Sequence, residues 1–564
     1  MTAKETRGGF RLFLRALFDV MFKGNKAFYV WMAFLTLCVF AGLGAYVSQM
    51  KAGLIVTRMR DQVSWGFYVA NFTFMVGVAA AAVLLIIPAY LYSFKPIKKI
   101  VILGELLAVS AVFSALLFIF VDFGRAERFW HAIPFIGTPN FPGSILAWDM
   151  VVLNGYLILN LSVALYVGYH TYLGRDPDKR VVLPLVLLSI PWAIGIHTVT
   201  AFVYNGLAAR PFWNASILAP RFLASAFCSG PALMIIIFQI LRKVTDFKID
   251  DKAIMRISEI IAFAMAINIF LLFAEVYKEY YSNTVHTSQI RYLFLGLHGH
   301  AELVPWIWSA MFFNGIGFLL FLIPQTRKRL LTLNIGCGLI FIGIWIEKGM
   351  GLVLPGFIPD TLGEVYEYLP NLTEARIAGG IWALGAIMYT LSVRTAVAIE
   401  TGRLRHPAAP AIVHEEEGKL ARDVMSRKVI SVKQETPIEE IGRLLVLHRI
   451  SGVPVVDNAS RVIGVVSESD IIFREIDHLP HLVEKLGDMI LPRIFRESGR
   501  TGDTAGEIMT SPPITVHERA PLRELIQIIT ERKIKRIIVV DERGRLAGII
   551  SRVDIVKALE KIES

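Results

Sequence analysis

Ten apolar segments, each long enough to cross a hydrocarbon layer of roughly 30 Å, fill most of the first 400 residues. They lie at 27–48, 65–91, 100–121, 148–171, 181–205, 217–241, 254–276, 303–323, 330–347 and 376–399. Lipid offers the backbone no hydrogen-bond partner, so a chain with this pattern must close its amides within helices. The expected fold is a mainly α-helical polytopic membrane protein. Composition agrees, at 55% hydrophobic and 19% charged residues. The formal charge of +11 would fit a nucleic acid polymer as partner, but the basic residues sit between the spans. With both termini cytoplasmic, inner segments carry 22 Lys/Arg and outer loops 10, as the positive-inside rule requires. The stretch FRLFLRALFDVMFKG (10–24) reads as an interfacial amphipathic helix within a cytoplasmic tail, 1–26.

The spans repeat. Gly104-Glu105 in the third matches Ser258-Glu259 in the seventh, and Trp148-x5-Asn154-Gly155 matches Trp308-x5-Asn314-Gly315. IGIH (194–197) matches IGIW (342–345), and Phe74-x2-Gly77 matches Phe227-x2-Gly230. Spans 2–5 and 6–9 therefore read as two parallel four-helix bundles, with spans 1 and 10 outside the repeat. Parallel repeats often hold a functional site between or within their halves.

Beyond a linker at 401–419, ARDVMSRKVISVKQETPIEEIGRLL returns as AGEIMTSPPITVHERAPLRELIQII, offset by 84. Each copy reads as strand, helix, two strands and helix, an α+β module. The copies occupy 420–474 and 504–562, with a helical separator at 475–503. GVVSESD (464–470) and GIISRVD (548–554) end a β-rich run and open a helix. Ser467-x-x-Asp470 and Ser551-x-x-Asp554 are capping boxes on one reading. On the other, the helix N-terminus and serine receive phosphate and the aspartate receives ribose hydroxyls. The whole repeat resembles a CBS-domain pair (a Bateman module). That resemblance implies an adenine-nucleotide sensor with contacts at Ser467, Asp470, Ser551 and Asp554.

Polar groups inside spans usually mark functional routes. Asn71, Asp149, Asn154, His197, Thr200 and Arg221 fall in one layer near the outer ends of their spans. Glu105, Glu259, Asn160, Asn268 and Glu275 are spread from the inner face outwards and could pass protons. Each has a plainer reading. Span asparagines commonly form interhelical hydrogen bonds, Arg221 can snorkel, and the glutamates can be paired or held protonated by burial. Haem ligation by two histidines needs a second histidine at the depth of His197. His170 lies at the opposite face, and His131, His286, His298 and His300 fall in outer loops, so neither haem nor metal is expected. Cys38, Cys228 and Cys337 are isolated in apolar runs, so no iron–sulfur cluster is expected in this chain.

KAGLIVTRMRDQVSWGFYVANFTFMVG (51–77), HTVTAFVYNGLAARPFWNASILAPRFLASAFCSGPAL (197–233) and EVYKEYYSNTVH (275–286) resemble the NrfD/polysulfide-reductase membrane subunits. The likeness is strongest to the ten-span branch found in sulfite-reduction-associated and related quinone-linked complexes, and it covers about 25–400. It implies a quinone-interacting membrane domain over 27–400 that carries no redox cofactor of its own. Menaquinone or ubiquinone would bind near the outer face as substrate. An iron–sulfur subunit with several clusters would dock on the periplasmic side, with further redox subunits of multihaem cytochrome or molybdoenzyme type. The implied location is a bacterial or archaeal cytoplasmic (inner) membrane. On this reading His197, partnered by Asp149, exchanges quinone protons, while Asn71 and Arg221 orient the quinone oxygens. The CBS pair would add regulation. Two rivals share the sequence features: a CBS-gated ion or solute transporter, and a passive membrane anchor.

Overall fold

The computed structural model describes residues 3–407, 409, 420–477 and 502–563, apart from 81, 93, 134, 135, 285, 286 and 533. The helical separator expected at 475–503 lies almost wholly outside the described residues. The chain forms two compact units, Met1–Ile412 and Val413–Ser564.

The first unit has ten helices long and apolar enough to span a membrane among the described residues. They are Lys26–Ala52 (span 1), Phe67–Tyr90 (2), Val101–Asp122 (3), Ile145–Tyr172 (4), Lys179–Asn205 (5), Leu218–Val244 (6), Asp251–Ser282 (7), Val304–Leu322 (8), Leu330–Gly356 (9) and Leu372–Glu400 (10). Short polar side chains start several of them. Asn25, Ser144, Asp178 and Asp250 each accept a hydrogen bond from a first-turn amide, and Asn371 with Glu374 forms a reciprocal capping box.

Packing follows the sequence repeat. Spans 2–5 pack together, and so do spans 6–9. The two groups meet chiefly through spans 2, 5 and 6. Spans 1 and 10 pair with each other outside the repeat, and span 10 leans on span 3. Their crossing is close because both carry glycine at the contact. A Cβ on Gly380 would lie 2.9 Å from the Gly42 Cα, the small-residue contact common between membrane helices. Residues Ala3–Met21 form the expected amphipathic helix. It docks Phe13 and Leu17 against Tyr172, Ala398, Ile399 and Leu404 and leaves Phe18 and Phe22 exposed.

Span 9 departs from expectation. It does not stop at 347 but breaks after Lys348, at Gly349, and resumes as Met350–Val353 and a 3-10 turn, Leu354–Gly356. This extension is apolar and buried. Trp213 anchors it by donating from Nε1 to the Leu352 carbonyl at 2.8 Å. Lys348, which hydropathy assigns to an outer loop, is therefore interior, with 3% exposure.

The second unit holds two three-stranded sheets, β1 (Val432–Lys433), β2 (Gly452–Val456), β3 (Val462–Ser467) and β4 (Thr515–His517), β5 (Arg536–Val540), β6 (Leu546–Ser551). In each, the first pair is parallel and the second antiparallel. The copies exchange their leading segments. Ala421 lies in the core of the second copy, and Ala505 and Ile508 lie in the core of the first. Neither apolar core is complete without its neighbour.

Candidate functional site

Most of the expected outer layer gathers near the ends of the spans that face the long loops. His197 is 1% exposed on span 5. Its Nδ1 is 3.1 Å from the Ala193 carbonyl, which assigns the proton to Nδ1 and leaves Nε2 as an acceptor. Nε2 is buried and makes no hydrogen bond among the described residues. His197 lines a water-sized cavity at the seam of the two helix groups, with Thr73, Phe74 and Gly77 from span 2, Phe222, Ser225 and Ser229 from span 6, and Ile344 and Lys348 from span 9.

Beside the seam lies a buried ion cluster. Arg221 on span 6 pairs with Glu275 of span 7 and, at 3.3 Å, with Glu347 of span 9. Lys348 Nζ is 3.0 Å from Glu347 Oε1. Asn268 and Asn314 donate to Glu347 Oε2 at 3.1 and 2.9 Å. The two cations offset the two carboxylates, which is what allows four charges to stay buried. Arg221 does not snorkel.

Other expected pairings differ. Asp149 is buried, but its Oδ1 accepts from Thr200 Oγ1 at 2.7 Å and makes no contact with His197 among the described residues. The cause is depth: Thr200 stands level with Asp149, and His197 lies about 4.5 Å further along the helix axis. Asn71 is fully buried with its polar atoms occupied. Its Oδ1 accepts from Trp345 and Trp382 at 3.1 and 2.9 Å, and its Nδ2 donates to the Phe67 carbonyl at 2.8 Å. Asn154 and Asn160 donate back to Met150 and Tyr156 within their own helix. Glu105 is buried in span 3. Glu259, its repeat counterpart, is half-exposed and pairs with Arg256 at 3.0 Å and Arg327 at 3.6 Å. Two cations neutralise it there, so the repeat-related glutamates differ: Glu105 is buried and Glu259 is paired at partial exposure.

Above the seam, Phe212 and Trp213 of the loop before span 6 are buried. Trp213 stacks on Trp65 with centroids 5.5 Å apart and packs edge-on to Tyr204 and Phe357. Sequence reasoning missed Glu347 and Lys348, because a charged pair at the end of an apolar run reads as its boundary. The apolar MGLVLPGF (350–357) just beyond was the available signal. Among the described residues no group of three or more His, Cys, Asp or Glu is placed to hold a metal.

In the second unit the Ser-x-x-Asp motifs form caps. Asp470 Oδ2 accepts from the Ser467 amide and hydroxyl, both at 2.7 Å. Asp554 Oδ2 does the same for Ser551 at 2.9 and 2.5 Å. All four of these bonds fall on Oδ2.

The profile of the family described as "Polysulphide reductase, NrfD" matches residues 55–354. The chain belongs to this family. The CBS-domain profile matches 421–477 and 505–561, so this NrfD-family membrane protein carries a CBS pair. Among similar proteins is the membrane subunit of a putative dimethyl sulfoxide reductase from Halobacterium salinarum, 25% identical, covering 64% of this chain and 90% of that one. The Hdr-like menaquinol oxidoreductase integral membrane subunit of Archaeoglobus fulgidus is 22% identical, covering 63% and 89%. The menaquinone reductase integral membrane subunit of Nitratidesulfovibrio vulgaris is 22% identical, covering 65% and 91%.

Proposed function

We propose that this chain is the quinone-interacting membrane subunit of a reductase complex. It exchanges electrons between a quinone pool, menaquinone in the first instance, and an iron–sulfur subunit docked on the face of the long loops. The observation that carries the reading is His197. It is a buried imidazole with a fixed tautomer and a free Nε2, beside a cavity at the seam of the repeat. Oxidising a quinol releases two electrons and two protons. The electrons leave to the partner, and the Nε2 lone pair is placed to take one of the protons. Three relatives, each matched over about nine-tenths of its own length, are named as reductase or menaquinol-linked membrane subunits.

The charge asymmetry supports cytoplasmic termini and a site near the outer face of a bacterial or archaeal cytoplasmic membrane. The CBS pair then senses adenine nucleotide on the cytoplasmic side, with Ser467, Asp470, Ser551 and Asp554 as its contacts. Glu105, Glu275 and Asn268 remain candidates for carrying protons onward.

The test is His197→Ala in the purified complex, assayed with a soluble quinol. We expect a loss of about 100-fold in turnover, the usual weight of a general base, with the complex still assembled. Undiminished turnover returns the chain to a passive anchor. Purification as a lone oligomer that carries solute across liposomes, without quinone, favours the transporter.

A further inference from the structure

His197 and Lys348 come from different halves of the repeat and line the same cavity. We propose that Lys348 exchanges the proton of His197 through one water held in that cavity. This inference rests on the quinone-linked reading of His197 and adds the group that reloads it.

The polar groups around the cavity support a bridging water. Nε2 of His197 is a buried acceptor without a partner, and leaving such a group dry costs on the order of 1–3 kcal/mol. Ser225 and Ser229 spend their hydroxyl protons on the carbonyls of Phe222 and Ser225, while Thr73 Oγ1 is shared between the Val69 carbonyl and the Tyr204 hydroxyl. Each serine therefore offers the cavity a lone pair. Lys348 Nζ is ion-paired with Glu347 at 3.0 Å, which engages one of its three N–H donors and leaves the others to spare. A water there can accept from Nζ and donate to Nε2 and to one hydroxyl oxygen, which meets its usual need of about three partners.

The transfer balances without an added reactant. Quinol oxidation runs the exchange from the imidazolium through the water to the amine. In quinone reduction it runs the other way, an ammonium proton passing to the water oxygen and a water proton passing to Nε2. This leaves a neutral amine, an intact water and an imidazolium whose Nδ1–H still points at Ala193. No electron moves. The charged and titratable groups around Lys348 are its neighbour Glu347, Arg221 and Cys228 of span 6, Glu275 of span 7 and His197 of span 5. Before transfer the quartet of Arg221, Lys348, Glu275 and Glu347 is neutral. Afterwards its single negative charge faces the new imidazolium, so the seam as a whole stays neutral.

The experiment uses the complete complex in lipid, oxidising the menaquinol analogue dimethylnaphthoquinol, with Lys348→Met, Lys348→Arg, Ser229→Val and His197→Ala. Both Lys348 variants are expected to lower kcat about 100-fold, to leave KM within about twofold, and to raise the solvent isotope effect. Arginine keeps the ion pair but does not surrender its proton. Rescue by Lys348→Arg therefore overturns the inference in favour of a purely structural cation. Ser229→Val leaves every charge in place and crowds the water; an unchanged solvent isotope effect in this variant counts against the proposal. Adding Lys348→Arg to His197→Ala is expected to cost nothing further, whereas independent, additive losses refute a shared route. If His197→Ala itself turns over normally, the quinone reading fails. If His197→Ala is slow while both Lys348 variants are fast, only the present inference fails.

Discussion

Replacing Asn71 with leucine separates two roles for a buried asparagine. The swap nearly conserves volume and removes the acceptor for two indole N–H groups, Trp345 of span 9 and Trp382 of span 10. Interhelical hydrogen bonds in membranes average about 0.6 kcal/mol and reach about 1.7, so two of them amount to about 1–3 kcal/mol. The bond from Nδ2 to Phe67 lies within one helix and adds little. Thermal unfolding of the detergent-solubilised chain should report this loss. Quinol KM should stay unchanged, because both Oδ1 lone pairs are taken by the indoles and Nδ2 is turned back onto its own helix. Unaltered stability with a raised KM refutes the reasoning and restores Asn71 to the quinone site.

Two further outcomes follow from the structure. Gly380→Val places a side chain against the Gly42 backbone, where no flexible end can yield. It should cost about 1–3 kcal/mol by overpacking and weaken disulfide cross-linking between cysteines engineered on spans 1 and 10. In the CBS unit, Asp457 and Asp541 sit in equivalent turns. Their carboxyls are held below the usual 3.8, chiefly by the Arg461 and Arg545 backbone amides and then by the arginine side chains. A depressed carboxylate stabilises above its unfolded value and loses that effect as pH falls through its folded value. Asp457→Asn with Asp541→Asn should therefore speed amide exchange in both turns at neutral pH, and match the parent once the pH is below the folded values.

Much of this was legible from residue patterns, and the rest was hidden for identifiable reasons. Period and length located the ten spans, because lipid forces helices and helices have a fixed rise. The matched pairs located the two helix groups, because each copy buries the same faces. The polar layer was only half legible. Arg221, Glu275 and Asn268 do meet, but around Glu347, which hydropathy places at a span end. Depth put Asp149 and His197 in one layer, while their side chains differ in height by about a helical turn. Repetition paired Glu105 with Glu259, yet the lysine- and arginine-rich face draws Glu259 out to Arg256 and Arg327. Sequence repeats report backbone equivalence and say less about where a charge settles.

The pairing of spans 1 and 10 has a consequence for how the chain is made. Gly42 and Gly380 stand 338 positions apart, and synthesis at about 5–20 residues per second puts on the order of half a minute between them. Throughout that time the first span is held only near its end, where Gln49 bonds Tyr68 of span 2 and Val121 of span 3. Its open glycine face is the vulnerable feature of a nascent membrane domain until the last helix arrives to cover it.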